Sequence, residues 1–209
     1  MMNGSKVKRN ILGAILLSIA ITTTFLPTPA AVAAPQTFSG TTDDIIDIAP
    51  INAPSIVTFT YEGEGVFSAS PVDSTGKEGL PYQLDIGSFS GTYFQGKPSR
   101  PIVAIAIKGT GQWTVTIDAL KTAKRVSAKS GSGSFDTVVN LGKPTTGIKR
   151  ITLSHVGEGV FSVTPIDSKG KSRFPLMLKI GDYKGTVSLP AGTQYLEIKA
   201  GADWTYSIR

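Results

Sequence analysis

One segment of the chain occurs twice: the hexapeptide GEGVFS stands at residues 63–68 and again at 157–162. The frame that places Gly65 on Gly159 also aligns FSASPVDSTGK with FSVTPIDSKGK and LPYQLDIGSFSGT with FPLMLKIGDYKGT. After a short deletion in the second copy, WTVTI at 113–117 meets WTYSI at 204–208. A unit of about 80 residues is longer than a solenoid repeat and can bury a core of its own. The sequence therefore predicts a duplicated domain.

Apolar residues within each copy recur at every second position, which is typical of half-buried strands. The rows are Val57, Phe59 and Tyr61; Tyr82, Leu84 and Ile86, with Asp85 on the other face; and Val103, Ile105 and Ile107. Their counterparts in the second copy include Ile151, Leu153 and His155, and Leu176, Leu178 and Ile180, with Lys179 opposite. We expect an all-β chain of two tandem antiparallel β-sandwich domains, and the pattern leaves jelly-roll and immunoglobulin-like topologies open.

The amino terminus has the features of a cleaved signal peptide, assigned to residues 1–34. Lys6, Lys8 and Arg9 precede an apolar run at 11–26, and the small residues of PTPAAVAAP follow. The run is shorter than the roughly 20 residues that span a bilayer, so we expect secretion and no membrane contact beyond the signal peptide. The first sandwich is then predicted at 35–122, a linker rich in Lys, Ser and Gly at 123–134, and the second sandwich at 135–209.

Composition excludes several classes of function. The formal net charge of +6 includes the three basic residues of the signal peptide, and the remaining lysines are scattered, so we expect no nucleic-acid binding. The densest basic group, Lys121, Lys124, Arg125 and Lys129, falls around the predicted linker and is interpreted as a solvated connector or an edge strand. The chain has no cysteine, so its stability must come from packing.

Two acidic motifs have oxygens that could bind calcium. Asp73 and its counterpart Asp167 each begin a D-S-x-G sequence, in which Asp can accept a backbone amide and Gly can take a positive φ. A tight turn explains the motif better than calcium, which needs six to eight oxygens. The run Asp43, Asp44 and Asp47 is the stronger calcium candidate, but a strand would point Asp44 away from the other two. No metal site is predicted.

The aromatic residues suggest a core and a weak candidate for ligand binding. Trp113 and Trp204 each share a strand face with apolar residues, which favours burial over sugar stacking. A platform for a ligand is placed instead on Tyr93, Phe94 and Tyr183, close to predicted loops.

No constellation for catalysis is present, and we expect neither an enzyme nor a cofactor. His155 is the only histidine, and its counterpart in the first copy is Tyr61, so the position does not require an imidazole. Without cysteine there is no Cys/His pair or familiar zinc cluster, and no nucleophile-elbow motif joins a strand to a helix.

The order DDIIDI, GxGxFS, PxDSxGK, LxIGxxxGT and GxxWTxxI resembles small all-β repeats of secreted and envelope proteins of Gram-positive bacteria. It is more loosely similar to the accessory sandwich modules of secreted peptidases. The resemblance covers residues 37–209 and implies a non-catalytic extracellular module.

These observations predict a secreted binding protein of the cell envelope or extracellular surface. Its expected partner is a cell-wall polymer, another glycan or a surface protein, and its oligomeric state is left open. Duplication would let two weak contacts act together. The alternatives are a structural protein that associates through sheet edges and, in third place, a hydrolase with an unrecognised site.

Overall fold

The computed structural model describes residues 34–209, which are almost entirely β-structure. The N-terminal half has eight strands: β1 Gln36–Gly40, β2 Asp44–Ile51, β3 Ser55–Glu62, β4 Val66–Asp73, β5 Gln83–Ile86, β6 Phe89–Gln95, β7 Ile102–Lys108 and β8 Gln112–Ala119. A short 3₁₀ helix, Leu120–Thr122, follows. The C-terminal half has nine: β9 Lys124–Arg125, β10 Ser130–Gly133, β11 Thr137–Asn140, β12 Lys149–Val156, β13 Val160–Asp167, β14 Met177–Ile180, β15 Tyr183–Leu189, β16 Thr193–Ala200 and β17 Asp203–Ile208.

The strand order selects one of the two topologies that the sequence left open. The N-terminal half forms one antiparallel sheet in the order β1-β8-β3-β6 and another in the order β2-β7-β4-β5. Eight strands divided between two sheets in this order form a jelly roll. The C-terminal half repeats it as β10-β17-β12-β15 and β14-β13-β16-β11, and adds β9 parallel to β11.

Each half has its own hydrophobic core between its two sheets. Phe59 and Val115 of one sheet lie against Phe67 and Ile105 of the other in the N-terminal half. The C-terminal core is built from equivalent strands. The predicted burial of the tryptophans is confirmed, since Trp113 is 1% and Trp204 is 4% exposed. Burying this apolar surface is the main stabilising contribution to such a fold.

Each indole is held in the same way in both halves. The Nε1 of Trp113 donates to the Thr42 carbonyl at 2.9 Å, and that of Trp204 to the Phe135 carbonyl at 3.1 Å. Gly40 and Gly133 lie directly across the sheet from the two tryptophans. A Cβ at Gly133 would stand 2.5 Å from Cζ2 of Trp204, and one at Gly40 would overlap the Trp113 ring. Glycine therefore makes room for each ring.

The predicted linker at 123–134 contains two strands. β9 pairs with β11, and β10 pairs with β17 as the counterpart of β1. The apolar alternation is missing because Gly131 and Gly133 lie beneath the rings of Tyr206 and Trp204 and carry no side chain of their own. The repeated unit thus begins within the segment that composition assigned to a connector.

One row of apolar residues that the sequence places in the core faces solvent instead. Leu84 and Ile86 were expected to be buried, but they are 65% and 75% exposed, and their counterparts Leu178 and Ile180 are also exposed. Asp85 is paired with the buried Phe67 and therefore shares its core-directed face. Because β5 and β14 end their sheets, alternation there does not correspond to burial.

The predicted signal peptide, residues 1–34, lies outside the described residues except for its last position. Within residues 34–209 no helix has the length and hydropathy to cross a bilayer.

Candidate functional site

The D-S-x-G motifs form the predicted turns. Oδ1 of Asp73 accepts the amide of Thr75 at 2.8 Å, and Oδ1 of Asp167 accepts the amide of Lys169 at 2.8 Å. Gly76 and Gly170 take positive φ angles of 81° and 75°. The Thr75 hydroxyl, with the backbone amides, lowers the pKa of Asp73 below its ordinary value. These carboxylates therefore serve the turns, as the sequence predicted.

Each turn leads into a short loop that holds a large apolar side chain in solvent. We call residues 77–80 the Leu80 loop and residues 171–174 the Phe174 loop. Leu80 is 89% and Phe174 is 93% exposed, the highest values among the large apolar side chains that the structure describes. Both positions precede a proline, which favours an extended backbone.

Backbone hydrogen bonds anchor both loops on each side of the exposed residue. Gly79 donates to the Pro71 carbonyl at 2.8 Å before Leu80, and Tyr82 donates to the Ala69 carbonyl at 2.8 Å after it. In the second half, the amide of Arg173 bonds to Pro165 at 3.0 Å and that of Leu176 to Val163 at 2.8 Å. The exposure of these side chains is thus imposed by a fixed backbone.

The Phe174 loop itself contains two basic residues. Phe174, Pro175 and Pro190 line an open pocket of about 830 Å³ whose wall also contains Lys171, Arg173 and the turn carboxylate of Asp167. A ring that shares a pocket with two cations suits a ligand with both apolar faces and negative charges.

The pocket beside the Leu80 loop is smaller, about 270 Å³, and its lining includes Lys77 and Arg100 together with the acids Asp73 and Glu78, but not Leu80 itself. Arg100 lies 3.7 Å from the Asp73 carboxylate, so part of its charge is balanced there. The same loop is therefore presented twice, with the larger pocket and the aromatic side chain in the C-terminal half.

A third hydrophobic cluster joins the two halves. Ile56 and Leu120 of the N-terminal half pack with Val138, Ile166 and Tyr195 of the C-terminal half. The turn glycine Gly170 also lies against this boundary, where an added Cβ would overlap Pro54. The two halves are consequently held in one fixed arrangement.

Polar groups close the same boundary along β6, the end strand of its sheet. The Thr92 amide donates to the Asp136 carbonyl at 3.0 Å, and the Phe94 amide donates to Oε1 of Glu197 at 3.2 Å. Oδ1 of Asp136 accepts the amide of Ala200 at 2.6 Å, as Oδ1 of Asp43 accepts that of Gly109 at 2.7 Å. Burial raises the pKa of both Glu197 and Asp136 above their ordinary values. One oxygen of each carboxyl group accepts a backbone amide, which favours a structural role for both.

A cleft of about 400 Å³ opens beside these residues, between the halves. Asp85, Tyr93, Asp136 and Lys199 contribute to its lining, together with the exposed ring of Phe135. The Tyr93 hydroxyl donates to Oε1 of Gln83 at 2.5 Å, and its pKa is raised, mainly by burial and further by the Asp136 carboxylate. Since its polar groups are largely paired with one another, the cleft is the weaker of the two candidate sites.

The predicted ligand platform is not assembled. Tyr93 is 3% exposed and belongs to the N-terminal core, while Phe94 is half-buried against the cluster that joins the halves. Tyr183 is half-buried against the C-terminal core on β15. Leu80 and Phe174, the most exposed of the large apolar side chains that the structure describes, were missed. Their signal was an apolar residue before proline at the same place in both copies.

The predicted strand-end position of His155 is a buried one. Its ring is 1% exposed, stacks on Phe161 with centroids 4.8 Å apart, and contacts the Gly181 carbonyl through Nδ1 at 3.1 Å. Nε2 has no hydrogen-bond partner among residues 34–209. Tyr61, at the equivalent position, donates its hydroxyl to the Thr110 carbonyl at 2.8 Å. Across the described part of the chain, no three His, Asp or Glu side chains are grouped as metal ligands would be.

No family model matches the chain, and no curated protein sequence is similar to it. Among solved structures, the PBSX exported protein XepA matches over 87% of this chain and 85% of its own, with 9% identity and a TM-score of 0.26. A regulatory subunit of a cAMP-independent protein kinase A from Trypanosoma cruzi, bound to guanosine, matches over 84% of this chain and 72% of its own, with 11% identity and a TM-score of 0.22. At these scores neither likeness says anything about function.

Proposed function

We propose that the protein is a secreted, non-catalytic binding protein of two tandem jelly-roll domains that attaches to an anionic glycan of the cell envelope. The observation that supports this most is the repeated display of Leu80 and Phe174, each exposed on an anchored loop, with Lys171 and Arg173 in the pocket that Phe174 lines. The resemblance to secreted all-β repeats points to the same location.

The Phe174 loop is the principal contact. The exposed ring stacks on the apolar face of a sugar, while Lys171 and Arg173 pair with the negative groups of the polymer. The Leu80 loop supplies a weaker second contact with Lys77. The cluster at the boundary fixes the halves relative to each other, so two loops that contact the same polymer reinforce each other.

Retention on isolated cell walls tests the proposal. We expect the purified chain to bind at low salt and to be released as salt screens the lysine and arginine contacts. Phe174→Ala should weaken retention about tenfold or more, Leu80→Ala should weaken it less, and the double variant should weaken it most. Lys171→Glu with Arg173→Glu should reduce both retention and its salt dependence.

Ile148→Ala is the matched control, because Ile148 is a 77% exposed apolar residue outside both loops. Its retention should equal that of the unmodified chain. The proposal is wrong if the unmodified chain is not retained at low salt, or if removing both loop side chains leaves retention unchanged.

A further inference from the structure

Two end strands of the fold have matching apolar outer faces and opposite charges. β5 reads Gln83-Leu84-Asp85-Ile86, and β14 reads Met177-Leu178-Lys179-Ile180. Each lies at the end of its sheet, paired on one side only. Leu84 and Ile86 in β5, and Leu178 and Ile180 in β14, are all at least 65% exposed. A second strand laid along either edge would cover this apolar surface.

The hydrogen-bonding alternation shows which backbone groups face outward. Gly87 donates to the Gly65 carbonyl at 3.1 Å, and Gly181 donates to the Gly159 carbonyl at 2.9 Å. Antiparallel strands alternate between residues that bond to the neighbour and residues that point away from it. Asp85 and Lys179 stand two positions before these glycines, so their backbone groups also bond to the neighbouring strand of the same sheet. The leucine and isoleucine of each strand therefore point their amides and carbonyls away from the sheet.

A side-chain bond agrees with this assignment. The amide of Ile86 is bonded to Oδ1 of the adjacent Asp85 at 2.8 Å. The amide is thus satisfied by a side chain at the edge, which an incoming strand can replace.

We propose that β5 of one chain pairs antiparallel with β14 of a second copy of the same chain. The register that places Asp85 opposite Lys179 makes Leu84–Ile180 and Ile86–Leu178 the two hydrogen-bonded pairs. All four apolar side chains then lie on one continuous outer face. Asp85 and Lys179 meet on the other face as a pair that is not hydrogen-bonded through the backbone, where opposing side chains are closest.

The charges determine which edges pair. Two β5 strands in the equivalent register would bring Asp85 against Asp85, and two β14 strands would bring Lys179 against Lys179. Like charges directly opposite are destabilising, and charges on edge strands are a common protection against pairing. The pairing of β5 with β14 is the arrangement in which the two charges attract.

Analytical ultracentrifugation of the purified chain over a series of concentrations tests the pairing. The unmodified chain should associate reversibly, as a closed dimer if both edges of one copy pair with the same second copy, or as longer chains if they pair with two different copies. Asp85→Lys and Lys179→Asp should each raise the dissociation constant about fivefold or more, because each places like charges opposite one another. The combined variant, which exchanges the two charges, should restore association to within about twofold.

Asp47→Lys is the control for net charge, since Asp47 is an exposed acid on β2, the other end strand of the sheet that contains β5. Thermal unfolding of every variant checks that the fold is kept. A chain that stays monomeric over the whole series overturns the proposal. A charge exchange that does not restore association, or an Asp47→Lys variant that weakens it equally, does so as well.

Discussion

Gly170, in the second D-S-x-G turn, lies directly against Pro54 of the N-terminal half, and the position of an added Cβ is 3.3 Å from Cδ2 of Leu120. Gly76, the same glycine of the first turn, has open space around it, with no atom within 4 Å of such a Cβ. Two copies of one turn therefore have different surroundings. The second turn has become part of the boundary between the halves.

This difference predicts unequal effects of the same substitution. Gly76→Ala should cost about 1–2 kcal/mol, because alanine is strained at a positive φ. Gly170→Ala has the same strain and also overlaps Pro54, so it should cost about 1–3 kcal/mol more. Urea unfolding of the two variants measures the difference. Equal losses would show that the contact with Pro54 does not constrain the turn.

The buried carboxyl group of Glu197 should make the stability of the chain depend on pH. Its pKa is raised above the ordinary 4.5, mainly by burial, so the folded state holds the proton more tightly than the unfolded state does. The resulting stabilisation is complete below the ordinary pKa and is lost as pH rises through the raised value. Glu197→Gln stays uncharged and can still accept the Phe94 amide.

We therefore expect the Tm of the unmodified chain to fall relative to that of Glu197→Gln as pH rises from below the ordinary pKa of 4.5 through the raised value. The pKa of Asp136 is raised in the same direction, and the charge of Asp136 contributes to the rise in the pKa of Glu197, so the comparison reports on the two carboxyl groups together. Glu62→Gln, at an exposed position, provides the control. A constant difference in Tm across this range would contradict the assignment.

The two halves fill one corner of the core in different ways. In the first half, the hydroxyl of Tyr61 lies beside Gly63, and Gly111 provides room for the ring. In the second, His155 is shorter, and the methyl group of Ala202 lies beside Gly157 instead. The pairs Tyr61 with Gly111 and His155 with Ala202 are alternative fillings of equivalent positions.

His155→Tyr alone should destabilise the chain by about 1–3 kcal/mol, since the added hydroxyl meets the Ala202 methyl group. Adding Ala202→Gly should recover part of that loss, giving a coupling energy of about 0.5–3 kcal/mol in a double-mutant cycle. Strict additivity of the two changes would mean that the positions do not share this space.

The glycines opposite the tryptophans give a final prediction. Gly133→Ala should cost about 1–3 kcal/mol and change the fluorescence of Trp204, because the new methyl group displaces the indole. Gly96→Ala is the control, because a Cβ there would meet Phe94 at an ordinary 3.5 Å. A Gly133→Ala variant with the stability and fluorescence of the unmodified chain would contradict the packing described.

The sequence by itself determined that the chain is all-β, that its pattern repeats, and that the tryptophans are buried. Period two and the repeated motifs are local properties, so they can be recognised without knowing which strands meet. The D-S-x-G turns were predicted for the same reason, because the carboxylate and the amide that it accepts are two residues apart.

Only the tertiary structure decided the jelly-roll strand order, the strands in the segment 123–134, and the outward direction of Leu84 and Ile86. Each depends on which strands are neighbours and which strand ends a sheet. A strand at the end of a sheet keeps its alternation of apolar and polar residues whether or not anything covers its apolar face. The predicted platform of Tyr93, Phe94 and Tyr183 was not assembled for a related reason. Their burial is set by strands and by a boundary between halves that lie far away in the chain.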